Sequence, residues 1–202
     1  MRCYWALGWI SMVFDTQAIN KQRQNLADYD EIWVFGYGSI IYKVDFDFMA
    51  CENAFILGYE RRFWQGSHDH RGTPEKPGRV LTLSPVDGAR CFGRAYKVNH
   101  DVFEHLDHRE KNGYLRHEKT IHLQDGRQVK GLVYLASPDN AAYLGEASIQ
   151  DIAEQIFKSS GPSGLNRDYV YQLANALRGH GEFDEHVFQI ERQLKQYASK
   201  GD

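Results

Sequence analysis

Two short segments of this chain set chemically capable groups where backbone geometry can aim them. In Val34-Phe35-Gly36-Tyr37-Gly38-Ser39-Ile40 the pattern of a buried strand runs into two glycines one residue apart. A turn built of Gly36, Tyr37, Gly38 and Ser39 lets its N–H groups converge without side chains in the way, which makes a nest for a carboxylate or an oxyanion. The same pair of glycines also suits a bulge that needs crowding relieved. The second segment is Leu106-Asp107-His108-Arg109-Glu110-Lys111-Asn112-Gly113-Tyr114, where Glu110 ends a helical pattern just before an Asn-Gly turn. A helix end feeding a tight turn aims a carboxylate into a cavity; flanked by Arg109 and Lys111, the same residue also reads as a solvated surface charge.

Other chemistries lack their residue sets. The nine histidines include His68, His70, His105 and His108 at short spacings, but no His-Glu-x-x-His or His-Cys-Cys set accompanies them, so no metal is expected. Ser39 lies outside a Gly-x-Ser-x-Gly elbow and offers a hydroxyl hydrogen bond rather than a nucleophile. Neither Gly-x-Gly-x-x-Gly nor Gly-Lys-Ser/Thr follows the first strand, which removes the common nucleotide fingerprints. The stretch WQGSHDHRGTPEKPGRV, with Trp64, Gln65, Arg71, Arg79 and two prolines, is longer than a hairpin needs and suits a loop that covers a pocket.

The elements that must hold these groups follow from periodicity. From Glu31 to about Ala136 strand-like runs alternate with turns: EIWVFGY, NAFILGY with RRFWQ, RVLTLSP, ARCFGRAYKV, LRHEKTIHL and QVKGLVYLA. One helix interrupts them in NHDVFEHLDHRE, with Val102, Phe103 and Leu106 at helical spacing and Asn99 or Asp101 at its start. After Pro138 three helical patterns follow. Ser148-x-x-Asp151 caps the first, the second starts near Pro162 or Ser163, and DEHVFQIERQLKQY with Val187, Ile190 and Leu194 inward forms the third. The expected class is α+β: a small curved sheet or barrel with one inserted helix and C-terminal flanking helices.

At 202 residues, 42% hydrophobic and 25% charged, the chain fits one soluble domain. Twenty-four Lys plus Arg against 27 Asp plus Glu leave no basic field for nucleic acid or anionic lipid. Cys3, Cys51 and Cys91 are odd in number and widely spaced, which suits a reducing cytoplasm better than a disulfide framework. MRCYWALGWISMVF pairs Arg2 with an apolar run, as weak signal peptides do, but is short of a bilayer span, and no small-residue cleavage site follows it. Residues 1–30 are read as an N-terminal extension and residues 31–197 as the domain.

Four segments in the same order resemble the ChaC-type γ-glutamylcyclotransferases, in the branch specific for glutathione: VFGYGSI, RRFWQGSHDHRGTPEKPGRVLTL, LDHREKNGY and DIAEQIFKSSGPSGLNRDYV, spread over a match from about Ile32 to Leu194. The resemblance implies a compact mixed barrel, a catalytic Glu110, and a γ-glutamyl cradle formed by Tyr37, Gly38, Ser39 and Ile40. Tyr114 and Tyr134 are further substrate-binding candidates, though each also suits a packed strand aromatic. Ile40 stands for the family's leucine, Tyr42 for a tryptophan and Asn112 for a glycine. The implied reaction converts glutathione to 5-oxoproline and cysteinylglycine without cofactor or metal. The small molecule is the expected partner, with no nucleic acid or membrane, and the enzyme is expected to be a monomer or weak dimer. Alternatives are a cyclotransferase acting on other γ-glutamyl peptides or amines, and a non-catalytic γ-glutamyl-binding protein. The extension precedes every matched motif, so its removal is expected to leave activity largely intact.

Overall fold

The first strand sends alternate side chains into two apolar clusters, which shows how the chain is organised. In a computed structural model, which describes residues 15–199, β1 (Ile32–Gly36) is buried along its whole length. Trp33 and Phe35 join one apolar cluster while Ile32 and Val34 join another, as a period of two requires. A strand covered on both faces belongs in the middle of the molecule. It pairs antiparallel with β3 (Gly78–Val98) and parallel with β5 (Gln128–Leu135) through Val34 and Leu132. With β2 (Ala50–Ser67) and β4 (Leu115–Leu123) the order is β1-β3-β2-β4-β5, a closed barrel whose β2–β4 seam is short, pairing Ala54 with Leu123 and Phe55 with His122.

The runs that read as separate short strands are continuous. β2 joins NAFILGY to RRFWQ, and β3 joins RVLTLSP to ARCFGRAYKV, with register shifts at Leu57/Tyr59 and Arg62/Gln65. Gly58 and Gly88, at φ +79 and +73, sit where the pairing slips, so the glycines mark bulges that bend two long strands.

Before the barrel, α1 (Gln17–Arg23) packs against β4. The inserted helix α2 (Val102–Arg109) buries Val102, Phe103 and Leu106 in the second cluster, with Asp101 at its N-cap making no side-chain cap bond. In α3 (Ile149–Lys158) Ser148 accepts the Asp151 N–H as the sequence predicts, while the Asp151 carboxylate takes the Ser148 hydroxyl, so the N-cap half of the expected capping box is what forms. GPSG does not open the next helix. It turns a two-residue hairpin between β6 (Ser160–Gly161) and β7 (Gly164–Leu165), and α4 (Asn166–Gly179) starts three residues beyond Ser163. The final helix α5 (Glu185–Ala198) is capped by Asp184 and buries Val187, Ile190 and Leu194. Together α3, α4 and α5 cover the first cluster. No helix among the described residues is long and apolar enough to cross a membrane.

Candidate active site

Where β1 ends, the chain turns through a short 3-10 segment, Ser39–Ile41. Gly38 has ordinary negative φ, so its need for glycine is steric: a Cβ there would lie 2.7 Å from the Tyr169 hydroxyl oxygen, and one on Gly36 would lie 2.7 Å from the Ile40 side chain. The turn is tied from behind. Buried Arg61 donates from Nε to the Tyr37 carbonyl at 2.7 Å and also reaches the Phe92 carbonyl, while its Nη1 pairs with Asp184 at 3.0 Å. Tyr96 donates its hydroxyl to the Ile40 carbonyl at 2.8 Å. Among the described residues, no acceptor takes the backbone N–H of Gly38, Ser39 or Ile40.

Glu110 faces this turn. It is the C-cap of α2, its own N–H bonded to the Leu106 carbonyl at 2.9 Å, and its side chain retains 17% exposure where it lines the cleft. Burial pushes its carboxyl above the usual carboxylate range; Arg109 pulls the other way, and Asp45 and Asp69 add to the rise. Arg109 stands between the two halves of the site, with Nη2 donating to Ser39 Oγ at 2.8 Å and Nε 3.3 Å from Glu110 Oε1. Read from the sequence, this arginine was only a flanking charge. Its role depends on contacts seventy residues apart along the chain, which no local pattern reveals.

All seven residues singled out from the sequence converge. Tyr37, Gly38, Ser39, Ile40, Glu110, Tyr114 and Tyr134 line one inner cavity of about 40 Å³, closed by Leu81 and Tyr169. The three phenols donate to protein acceptors: Tyr37 to the Tyr134 carbonyl at 2.8 Å, Tyr114 to the Leu81 carbonyl at 2.5 Å, and Tyr134 to Asp107 at 2.7 Å. They shape the wall and fix the elements behind it. Tyr169 has only 7% exposure, and its hydroxyl oxygen lies against Gly38.

An outer cleft of about 160 Å³ opens from this cavity and shares Ser39, Glu110, Tyr114 and Tyr169 with it. The β2–β3 loop supplies Asp69, His70 and Arg71 to its wall, in keeping with a loop that covers a pocket. Other residues of that stretch serve the frame. Buried Gln65 bonds to the Asn112 carbonyl and Asn140, and Arg79 bonds to the Phe63 and Gly145 carbonyls. Tyr42 also lines the cleft, and burial raises its phenol to about 12. Among the described residues no group of three His, Cys, Asp or Glu stands positioned to hold a metal ion.

This geometry can bind an anionic group at backbone donors and present a carboxylate of raised basicity beside it. Residues 32–197 match the family described as ChaC-like protein. Gamma-glutamylcyclotransferase 2-3 of Arabidopsis thaliana is 43% identical over 85% of this chain and 92% of the relative. Human glutathione-specific gamma-glutamylcyclotransferase 1 is 38% identical over 83% of this chain and 80% of the relative. A crystal structure of the yeast γ-glutamylcyclotransferase specific to glutathione superposes with a TM-score of 0.77 at 30% identity, covering 84% of this chain and 97% of that one.

Proposed function

The chain belongs to the ChaC-like family, and from that membership we infer that it is a glutathione-specific γ-glutamylcyclotransferase, a lyase that releases 5-oxoproline from a small-molecule substrate. The observation that carries the inference beyond kinship is the meeting of Glu110 with the Tyr37–Ile40 turn on one cavity, with the carboxyl held above its ordinary pKa.

Ring closure is an intramolecular aminolysis. The substrate's α-ammonium cannot attack, so it first gives a proton to Glu110; an ordinary glutamate, with a pKa of about 4.3, is too weak a base for this, and the buried site corrects that. The freed nitrogen then adds to the γ-carbonyl of the same residue, and the backbone donors of the turn stabilise the oxyanion. Collapse breaks the bond to the cysteinyl nitrogen, which takes the first proton from Glu110; the ring nitrogen still carries two protons and passes one, through the freed Glu110 carboxylate, to the released amine, so the lactam keeps one N–H and cysteinylglycine leaves as an ammonium. Atoms and protons balance with no water consumed. Holding the γ-glutamyl arm folded, nitrogen against carbonyl, supplies the rest.

Cys91 is a buried free thiol whose pKa burial raises to about 11, a state that suits a reducing compartment, and the reading includes a cytoplasmic enzyme acting as a monomer or weak dimer. The test is incubation of the purified protein with reduced glutathione, and separately with γ-glutamyl dipeptides and amines, with 5-oxoproline and the released amine quantified. Equal amounts of 5-oxoproline and cysteinylglycine from glutathione, undiminished by a chelator, are expected. Turnover of the dipeptides alone would assign a different leaving group.

A further inference from the structure

Residues 15–24 precede the family match, yet they are bonded to the segment that carries Glu110 into β4. Thr16 donates its N–H to the Lys111 carbonyl at 3.0 Å, and its Oγ1 lies 2.7 Å from the Tyr114 carbonyl oxygen. Asp15 forms a β-bridge with Asn112. Asn20, fully buried, spans two strand positions with one amide: Nδ2 donates to the Tyr114 carbonyl at 3.0 Å and Oδ1 accepts the Arg116 N–H at 2.8 Å. Arg23 and Gln24 complete the row on the Arg116 carbonyl at 2.8 and 3.1 Å.

The reason for these bonds lies in the barrel. Among the described residues β4 pairs with β2 only at Ile121's far side, through His122 and Leu123, so its Leu115 end has β5 on one edge and no strand of the barrel on the other. Backbone groups on that edge need partners, and α1 with its flanks supplies them. On the opposite side the same connection is held by Gln65 on the Asn112 carbonyl and by Asn112 on the Gly66 carbonyl, at 2.9 and 2.7 Å. Residues 111–114 are thus clamped between β2 and the N-terminal segment, one residue beyond Glu110.

We propose that Thr16 and Asn20 are positioning residues for the cyclotransferase reaction, fixing the Lys111–Tyr114 connection and through it the aim of Glu110. This departs from the expectation that residues 1–30 are dispensable, and it rests on Glu110 being the base. Neither residue touches the cavity. The charged groups that act on the Glu110 carboxyl are Arg109, Asp45 and Asp69, none of them in residues 15–24, so a change at Thr16 or Asn20 reaches Glu110 only through its position and its contact with water.

The full-length protein is compared with its Thr16→Val, Thr16→Ser and Asn20→Ala variants, well below their melting temperatures. A misplacement of about 1 Å costs up to ~100-fold in rate, and we expect kcat to fall roughly 10-fold in Thr16→Val and Asn20→Ala while the glutathione KM stays within about twofold. Thr16→Ser, which keeps the hydroxyl, should restore kcat. In parallel, the Glu110 carboxyl is titrated by 13C NMR, which needs no turnover: its pKa should drop toward the ordinary value in Thr16→Val as the clamp loosens. Parent-like kcat and titration in both variants would overturn the proposal even if their melting temperatures fell, since the segment would then only stabilise the fold. Should Asn20→Ala fail to fold, the Thr16 pair decides alone. A parent that makes no 5-oxoproline but shows the titration shift would retain the clamp and refute the assigned reaction instead.

Discussion

Gly38 and Tyr169 are in steric register: a Cβ on the glycine would stand 2.7 Å from the tyrosine's hydroxyl oxygen, and 3.9 Å from the ring carbon that bears it. The obstacle is one buried atom on a side chain held in the core. Gly38→Ala must therefore displace the cradle or the helix, and misplacement of this size costs about 100-fold in kcat/KM. Tyr169→Phe removes the colliding oxygen. In the Gly38→Ala background it should recover much of the loss, a coupling that steady-state kinetics of the two single variants and the double variant measures directly. Additive losses would mean that the hydroxyl is not what Gly38 avoids.

Arg61 holds the opposite end of the cradle. It is 3% exposed, and it joins the Tyr37 and Phe92 carbonyls to Asp184, the N-cap of α5. Removing one member of a buried, hydrogen-bonded ion pair costs about 3–5 kcal/mol. Arg61→Met should lose that much in urea unfolding. A loss below about 1 kcal/mol would show that water replaces the guanidinium at little cost.

These two pairs show where the sequence is legible and where it is not. The Gly36–Ser39 turn, Glu110 at a helix end and the Ser148 N-cap are local patterns, readable because the residues that make each feature are neighbours in sequence. The resemblance supplied the barrel and joined the nest to the carboxylate. The continuity of β3 was lost because Val86-Asp87-Gly88 falls between two strand-like runs, and a glycine there serves a turn or a bulge alike. Arg61, Arg109 and Asn20 were missed for a different reason. Each looks locally like a surface polar residue, and each earns its place through partners 24 to 123 positions away.

Burial gives Glu110 a pH signature with a definite sign. Its raised pKa means that the base form of the free enzyme is populated only above the ordinary carboxylate range, so kcat/KM should rise along an acid limb displaced upward from that range. Stability runs in the opposite sense. The fold favours the protonated acid, so the carboxyl's stabilising contribution is complete below the unfolded pKa of about 4.3 and is lost as pH climbs through the folded value. Glu110→Gln, uncharged at every pH, should melt above the parent at neutral pH, and the gap should close below about pH 4. Thermal denaturation across that range checks it; a variant less stable than the parent at neutral pH would contradict a desolvated carboxylate.

Glu110→Gln also isolates the chemical step, because it preserves the side chain's length while removing its capacity to take the ammonium proton. Loss of a general base costs about 100- to 10,000-fold, and a residue that must also return the proton to the leaving amine should reach the upper end. Ser39→Ala, which leaves the turn's backbone donors in place, should lose less. The decisive measurement is single-turnover formation of 5-oxoproline from glutathione by Glu110→Gln, with glutathione binding followed separately by calorimetry. Retained binding with turnover reduced about 10,000-fold is expected; turnover near the parent rate would remove Glu110 from the reaction.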